Sequence, residues 1–243
     1  MGFVDLHDHV LWGIDDGCES PAQSLEAIRL LRSLGWTELA PSPHAVAELP
    51  SGDPAVAEAR RADLAALLQA EGIALALHTN AENKLDDAFL ARAESPATRR
   101  GIGPTGRWVL VEAPFQAHLP ALPELVFRMR RKGMLPLFAH PERCLEFERP
   151  GRAEEVVRLG GALQLNVGAL AGLYGRTARK LAERFVAQGL YSVGATDLHR
   201  PEGAQRWLTE GLELLEKRGG RGAVQRLCAD NPRRIVAGEE LEA

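Results

Sequence analysis

The chain has 243 residues, of which 45% are hydrophobic and 26% are charged. Lysine and arginine total 29 against 33 acidic residues, and this net charge of -4 argues against a general nucleic-acid binder, which would carry a basic excess. Three widely spaced cysteines exclude a disulfide scaffold and fit a reducing cytoplasm. No apolar run reaches transmembrane length, and the first residues lack a signal-peptide pattern. We therefore expect a cytoplasmic protein of enzyme size, with no membrane insertion and no nucleic-acid partner.

Short apolar runs alternate with longer stretches of helical periodicity along the chain. The apolar runs predict seven strands, namely Phe3–Leu6, Glu38–Ala40, Ile73–Leu77, Trp108–Val111, Leu135–Ala139, Ala162–Val167 and Tyr191–Ala195. The helical stretches predict helices over Ser24–Ser33, Val56–Ala70, Leu122–Arg131, Glu154–Leu159 and Thr177–Gln188. Glycines that favour helix ends precede several strands, namely Gly35, Gly72, Gly133, Gly160 and Gly189.

Repeated strand–helix units predict an α/β fold, and continuous apolar strands indicate a parallel sheet buried on both faces. Seven such units fit a closed barrel or a doubly wound sheet. The barrel is preferred because no GxGxxG motif follows the first strand and nothing divides the chain into halves. We expect a single domain over residues 1–243, with the charged C-terminal helices packed outside the barrel.

Histidines and acids follow the predicted strand ends with unusual regularity. The carboxyl ends of the parallel strands of such a barrel meet at one rim, where active sites gather. Six of the seven strands therefore send candidate ligands to one mouth. The nine candidates are His7, His9, Asp16, His44, Glu82, Glu112, His140, Asp197 and His199, with Glu82 placed just after the third strand and Glu112 at the fourth.

This set of side chains predicts a metal site. No lysine or arginine is among the nine, and carboxylates crowded in this way need cations to balance them. Mixed nitrogen and oxygen ligands suit manganese, iron or zinc. Because alternate residues at a strand end point the same way, His7 and His9 can bind one ion. The remaining histidines, His78 on the third strand and His118 in a loop, are expected to lie outside the site.

Short motifs spanning nearly the whole chain carry a second signal. They are Asp5-Leu6-His7-Asp8-His9, Gly13-Ile14-Asp15-Asp16-Gly17, Ser24-Leu25-Glu26, Ser42-Pro43-His44, Ala81-Glu82, Leu110-Val111-Glu112, Ala139-His140-Pro141-Glu142-Arg143, Thr196-Asp197-Leu198-His199 and Asn231-Pro232. In this order they resemble the polymerase-and-histidinol-phosphatase (PHP) family. The similarity is closer to the bacterial capsule-type protein-tyrosine phosphatases (CpsB/CapC type), because the Ile-Asp-Asp-Gly and Ala-His-Pro-Glu-Arg motifs point to the phosphatase branch.

The resemblance implies a distorted seven-stranded (β/α) barrel of PHP type that holds three divalent metal ions, commonly manganese. All nine positions that bind metal in the family carry ligand-competent residues here. Carried over, one ion would bind His7, His9, Glu82 and Asp197, a second would share Glu82 and add Glu112 and His140, and a third would take Asp16, His44 and His199.

The implied activity is metal-dependent hydrolysis of phosphotyrosine in a protein, by direct attack of a metal-bridging hydroxide without a phosphoenzyme. The implied partner is a phosphotyrosine-bearing protein, namely a bacterial tyrosine kinase of exopolysaccharide or capsule synthesis. Arg143 would clamp the phosphate, because a guanidinium fork matches two phosphoryl oxygens. A second arginine is expected after the last histidine. Arg200 is the candidate although the loop is shorter than in the family, and Arg206 is the fallback.

Other metal-dependent activities stay open at this point. A small-molecule phosphatase such as histidinol-phosphate phosphatase would use the same ligands. A PHP-type nuclease or phosphodiesterase is disfavoured by the acidic net charge. A non-catalytic metal-binding barrel would be favoured by a missing ligand, and none is missing. Amidohydrolases usually carry a bridging carboxylated lysine at the fourth strand, where this chain has Glu112.

A cysteine-dependent phosphatase is the competing chemistry, since Cys228 and Arg234 satisfy Cys-x5-Arg. Asp230 would place a negative charge in the phosphate-binding loop, and Pro232 removes a backbone N–H donor that the loop needs. No glycine helps this loop to close, and no predicted strand precedes it. We therefore expect all three cysteines to be buried or incidental.

Overall fold

The computed structural model describes residues 2–95 and 98–241, which form eight strands in two parallel sheets. The first sheet has the order β1-β2-β3, with β1 at Phe3–Asp5, β2 at Trp36–Leu39 and β3 at Ala76–Leu77. The second runs in chain order through β4 (Glu82–Lys84), β5 (Trp108–Glu112), β6 (Leu135–Ala139), β7 (Ala162–Asn166) and β8 (Tyr191–Ala195). The predicted α/β fold with parallel strands is confirmed.

Helices connect most of these strands. Ser20 and Asp53 begin the first two by accepting hydrogen bonds from the backbone N–H groups of Gln23 and Ala55. The five glycines predicted to end helices all have positive φ, which glycine adopts without strain. The α-helices are α1 (Pro21–Ser33), α2 (Pro54–Ala70), α3 (Asp87–Arg92), α4 (Leu122–Arg131), α5 (Arg152–Arg158), α6 (Val167–Leu170), α7 (Gly175–Ala187), α8 (Ala204–Gly219), α9 (Ala223–Gln225) and α10 (Asn231–Val236). Short 3-10 helices cover Pro50–Gly52, Pro141–Arg143 and Leu145–Glu148, and a π-helical segment covers Arg226–Asp230.

The strand count differs from the predicted seven at one place. The predicted strand Ile73–Leu77 is reduced to β3, and a separate strand, β4, follows it. Glu82 therefore begins a strand instead of following one. The strand β4 has no apolar run, because its residues are polar. Its central residue, Asn83, is buried, and hydrogen bonds satisfy its side-chain amide. The Asn83 side-chain amide donates to the carbonyl oxygens of Ala81 and Leu110, both at 3.0 Å.

Two bridges join the sheets beyond the carboxyl ends of their strands. Asp8, after β1, pairs with Leu198, after β8. His44, after β2, pairs with Glu82 at the start of β4. The backbone N–H of Asp197 also donates to the His7 carbonyl oxygen at 2.7 Å. Several residues in these bridges are predicted ligands, so the two sheets meet at the predicted mouth.

An apolar cluster fills the space between the two sheets, with Val4, Leu110, Leu137 and Val193 among its members. It also includes Ile235 of α10, which places this last helix against the amino ends of the strands. Two further apolar clusters contain residues of strands and helices. Within the described ranges, each helix is too short or too polar to span a lipid bilayer. The single domain over residues 1–243 stays a prediction.

Candidate metal centre

The structure brings all nine predicted ligands together at one mouth, eight of them at or after the carboxyl ends of strands and Glu82 at the start of β4. Their ligand atoms form four overlapping groups, and the atoms of each group lie within 4.8 Å of one another. The groups are His9, Asp16, His44 and His199; His7, His9 and Glu82; His7, His140 and Asp197; and Glu82, Glu112 and His140. The overlap, with four residues shared between groups, describes one continuous cluster.

Glu82 links three sides of this cluster. One carboxylate oxygen, Oε1, lies 3.0 Å from His140 Nε2. The other, Oε2, lies 3.0 Å from His44 Nδ1 and 3.4 Å from His7 Nε2. Burial raises the pKa of the Glu82 carboxyl, but the His7 charge and the hydrogen bonds from His140 and His44 outweigh it and hold that pKa well below its usual range. The side chain is thus an anion that imidazoles surround.

Asp197 and His140 are held in the left-handed backbone region, with φ of 53° and 31°. This conformation costs free energy for residues other than glycine and is often found at functional sites. Asp197 Oδ1 lies 3.2 Å from His7 Nε2 and 3.5 Å from His9 Nε2. Its other oxygen, Oδ2, accepts hydrogen bonds from Asn166 Nδ2 at 2.9 Å and from Arg143 Nη1 at 2.8 Å. One oxygen therefore faces the cluster while the other anchors the side chain.

Asp16, His44 and His199 form the solvent-exposed edge of the cluster. Asp16 Oδ1 lies 3.3 Å from the Nε2 atoms of both histidines, and the Asp16 side chain is 63% exposed. Hydrogen bonds from His199 and His44 lower the pKa of Asp16. Burial lowers the pKa of His44, but hydrogen bonds to Asp16 and Glu82 outweigh it and raise that pKa to about 9. Because these three side chains are at least partly exposed, a ligand can reach the cluster from this edge.

The donor set fits divalent metal ions. His7 Nε2 and His9 Nε2 are buried and make no hydrogen bond within the described residues, although both face Glu82 and Asp197. An unpartnered buried nitrogen is costly, and a metal ion satisfies it by accepting its lone pair. Imidazole nitrogens and carboxylate oxygens without a thiolate are donors for manganese, iron or zinc.

Two side chains that were not predicted orient the central histidines. Gln164 Oε1 lies 2.8 Å from His7 Nδ1, and Asp15 Oδ2 lies 2.8 Å from His9 Nδ1. Such partners fix the ring so that Nε2 faces the metal position. Asp15 stands in the Ile-Asp-Asp-Gly motif, so the motif itself was a signal for it. Gln164 could have been found only as a polar residue inside the buried strand β7.

Arg143 lies at the edge of the cluster between contacts that hold its guanidinium. Its central carbon is 4.2 Å from the Tyr174 ring centroid and 4.6 Å from that of Phe115. Burial lowers the pKa of Arg143, but electrostatic attraction outweighs it and raises that pKa. The groups responsible are Asp197, Tyr174, Glu82 and Glu112. The Phe115 side chain is 37% exposed, and its ring centroid lies 5.3 Å from that of His140. An exposed aromatic ring thus stands next to the cluster and the guanidinium.

Neither candidate for the second arginine is placed in the cluster. Arg200 Nη2 lies 2.6 Å from Glu19 Oε1, and its side chain is 53% exposed. Arg206 lines a groove between α1 and α8. The two remaining histidines lie outside the four ligand groups, where His78 contacts Glu38 and His118 contacts Glu146.

The three cysteines are buried and free. Burial raises the pKa of the Cys18 thiol to about 12 and that of the Cys228 thiol well above its usual range. Cys228 belongs to the π-helical segment, and its sulfur lies where a β-carbon on Gly194 would meet it at 2.9 Å. A thiol that stays protonated is a poor nucleophile, so this environment does not support the Cys-x5-Arg mechanism.

Comparison with known proteins gives a consistent result. The family model of capsular polysaccharide synthesis, CpsB/CapC, matches residues 3–237. Tyrosine-protein phosphatase YwqE of Bacillus subtilis (strain 168) is 29% identical over 221 residues, which cover 89% of this chain and 85% of that protein. Tyrosine-protein phosphatase CpsB of Streptococcus pneumoniae is 22% identical over 247 residues, which cover 96% of this chain and 98% of that protein. A crystal structure from work on YwqE and CpsB, described as metal-dependent tyrosine phosphatases, superposes with a TM-score of 0.87 at 26% identity and covers 98% of this chain and 96% of that one.

Proposed function

The chain belongs to the CpsB/CapC family, and from this membership we propose that it is a metal-dependent phosphatase of phosphotyrosine in proteins. The predicted family is confirmed. The observation that carries the proposal is the convergence of nine imidazole and carboxylate side chains on one mouth, with Arg143 at its edge. A phosphate monoester is an anion, so a cation-filled cluster and a guanidinium fork both favour its binding.

We propose that the cluster binds three divalent ions, with manganese as the preferred metal. Each ion would be held by one of the three ligand sets that the family resemblance implies. When bound, such ions lower the pKa of bound water to about 7 and neutralise phosphoryl oxygens. Gln164 and Asp15 hold the rings of His7 and His9 toward the cluster. Arg143 has donors beyond the one that it gives to Asp197, and these would bind two phosphoryl oxygens. Positioning and charge neutralisation carry most of the work in phosphoryl transfer.

The leaving group needs little help from the protein. The phenol of tyrosine has a pKa of about 10 and leaves more readily than an alkoxide. No protein nucleophile is required in this scheme, and the cysteines are protonated and buried. Arg200 is proposed as the second phosphate-binding arginine, because an exposed ion pair such as that with Glu19 is weak and exchanges readily.

Phe115 supports an aromatic substrate. Its exposed ring lies beside both His140 and Arg143, where the phenyl ring of a bound phosphotyrosine would enter. Aromatic pairs are favourable in offset or edge-to-face geometry. We propose as partner a bacterial tyrosine kinase of exopolysaccharide or capsule synthesis, in keeping with the family, and a cytoplasmic location in keeping with free thiols.

The fold proposal is a distorted seven-stranded barrel in one domain. The two bridges, Asp8 with Leu198 and His44 with Glu82, link the two sheets on both sides of the mouth. In this interpretation β3 and β4 are two pieces of one interrupted strand. The apolar cluster shared by strands of both sheets supports an enclosed interior.

The test combines metal analysis with two substrates. Purified protein should contain divalent metal, hydrolyse a phosphotyrosine peptide, lose activity on chelation and regain it with added manganese. Histidinol phosphate should be hydrolysed much more slowly than the peptide. Faster hydrolysis of histidinol phosphate would transfer the proposal to a small-molecule phosphatase. Full activity after metal removal would overturn the metal mechanism.

A further inference from the structure

A basic pocket of about 430 Å³ lies next to the metal mouth. Its cations are Lys84, Arg92 and Arg100, and its carboxylates are Glu48 and Asp86; these five residues define the basic pocket. Resting on the proposed phosphatase function, we propose that the basic pocket binds an acidic side chain of the protein substrate, near its phosphotyrosine. The pocket would thus select substrates by sequence while the metal cluster binds the phosphate.

The position of Lys84 links the pocket to the reaction site. Lys84 follows Glu82 by two residues on β4, and alternate residues of a strand point to the same face. Glu82 is buried in the cluster, whereas Lys84 is exposed one step nearer the rim. Ala45 also lines the pocket, directly follows His44, and donates its backbone N–H to the Glu82 carbonyl at 2.8 Å. A peptide with its phosphate at the cluster would therefore pass along the pocket.

None of the three cations forms a close ion pair within the described part of the chain, although the Asp86 charge acts on Arg92 and the Asp53 charge acts on Arg100. Arg92 Nη2 donates to the side-chain oxygen of Asn83 at 2.6 Å, and Arg100 Nη1 donates to the Ser51 carbonyl at 2.7 Å. Both acceptors are neutral. Burial lowers the pKa of Arg100 to about 10, the Arg92 charge lowers it further, and the Asp53 charge acts against both. An anion between the two guanidinium groups would relieve the repulsion between them.

The backbone of Arg100 points the same way. Among the described residues other than glycine, three have positive φ, namely His140, Asp197 and Arg100, whose φ is 54°. Two of these are predicted metal ligands. Such conformations persist only where surrounding contacts hold them, and they cluster at binding sites. The third therefore marks the basic pocket as a place where the fold accepts strain to position a charge.

The charge balance favours a single carboxylate as the occupant. Three cations against two carboxylates leave an excess of one positive charge in the pocket. Asp86 is already engaged, because it accepts a hydrogen bond from the Phe89 backbone at the start of α3 at 2.8 Å. One glutamate or aspartate of the substrate would neutralise the excess. A second phosphotyrosine would bring two negative charges and is the alternative source that the test must separate.

The experiment measures kcat/KM of the metal-loaded enzyme on three phosphotyrosine peptides. One has glutamates around the phosphotyrosine, one has glutamines there, and one has a second phosphotyrosine with glutamines elsewhere. We expect the glutamate peptide to exceed the glutamine peptide by roughly threefold to tenfold at low salt, falling toward equality at high salt. Lys84→Gln and Arg100→Gln should each reduce this ratio toward one, and Lys84→Glu should invert it.

The matched control is Lys217→Gln, an exposed lysine on α8 outside the basic pocket, which should keep the wild-type ratio. Each ratio is taken within one variant, so partial loss of folding does not mimic the effect. Equal rates on the glutamate and glutamine peptides in the wild type would overturn the proposal. If the wild type prefers only the doubly phosphorylated peptide, the occupant of the basic pocket is a phosphate and the proposed carboxylate is wrong. If the wild type hydrolyses none of the peptides, the phosphatase function itself fails.

Discussion

The two ends of the strands differ in how their polar side chains are hydrogen-bonded. At the amino ends, Arg107 Nη1 donates to the Gly238 carbonyl at 2.9 Å and Nη2 contacts Glu240 at 3.0 Å. Arg233 likewise contacts Glu38 at 3.0 Å. At the carboxyl ends, His7 Nε2 and His9 Nε2 face carboxylates and make no hydrogen bond to any residue that the structure describes. Arg107 and Arg233 are thus paired within the protein, while the two central imidazole nitrogens of the mouth are left for ligands.

This difference separates structural from functional charge better than burial does. Residues of both kinds are partly or fully buried, so exposure alone does not distinguish them. What distinguishes the two central imidazole nitrogens from the paired arginines is that they have no hydrogen-bond partner among the described residues. Substitutions at the amino ends should therefore lower the free energy of unfolding and keep activity. Substitutions at the mouth should lower activity and leave the fold intact.

The largest expected effect is that of Glu82→Ala, which removes a predicted ligand that contacts three histidines. Its activity on a phosphotyrosine peptide should fall about a thousandfold or more, with metal content reduced and the circular dichroism spectrum unchanged. The control is Glu38→Ala at the amino ends. It should keep full activity and lower the free energy of unfolding by about 1 kcal/mol. Wild-type activity in Glu82→Ala would refute the cluster as the reaction site.

Arg143→Ala should lower kcat/KM for phosphate monoesters by about a hundredfold to a thousandfold while leaving metal content unchanged. Arg143→Lys should not restore the rate, because an ammonium lacks the planar fork. Arg200→Ala should cost about tenfold if it reaches the phosphate, and Arg206→Ala should cost nothing. Metal loss in Arg143→Ala would instead make this residue a support for Asp197.

Gln164→Ala tests a contact that acts through His7. Loss of the Oε1 acceptor should weaken metal affinity and activity by about tenfold to a hundredfold, since the ring is then free to turn. Gln164→Glu keeps an acceptor oxygen but loses the amide that donates to the Leu165 carbonyl at 2.7 Å, so it should recover only part of the loss. Metal titration followed by elemental analysis distinguishes this from a simple loss of folding. Unchanged metal affinity in Gln164→Ala would show that the ring is fixed by other contacts.

Gln164 also shows where sequence reasoning ends. The convergence of the nine predicted ligands could be anticipated because imidazoles and carboxylates at strand ends break an apolar pattern, and their family motifs are local in the chain. Gln164 and Asn166 lie on β7, the strand for which no ligand was predicted. Their roles depend on contacts with His7, 157 residues away, and with Asp197. Pairing over such a separation is a property of the fold and leaves no local pattern.

The strand β4 was missed for a related reason. Glu82, Asn83 and Lys84 are polar, so an apolar-run criterion passes over them, and only the partners across the sheet make them a strand. The parallel α/β architecture was predictable because it needs only the alternation of apolar runs and helices. The neighbours of Arg143 were not, since Phe115 and Tyr174 reach it from distant loops.

Phe115→Ala probes the substrate side of the mouth. Removing the ring should lower kcat/KM for a phosphotyrosine peptide by roughly threefold to tenfold, the size of one aromatic contact. Hydrolysis of an alkyl phosphate such as histidinol phosphate should be unaffected, because it has no phenyl ring at that place. Phe115→Tyr should retain the preference. An equal loss on both substrates would assign Phe115 to the support of Arg143.

The smallest effect on activity is expected at the buried thiol of Cys228, which packs against Gly194 of β8. Cys228→Ser should keep wild-type turnover, because the thiol is fully buried and protonated. Burial raises its pKa above the ordinary 9.0, so the folded protein keeps a proton that the unfolded chain loses. Its contribution to stability is therefore present below pH 9.0 and declines as the pH rises above it. Urea unfolding of the wild type and Cys228→Ser from neutral to alkaline pH measures this: the wild type should lose more stability than the variant. An inactive but folded Cys228→Ser enzyme would instead restore the cysteine mechanism and abolish the contrast between the two ends.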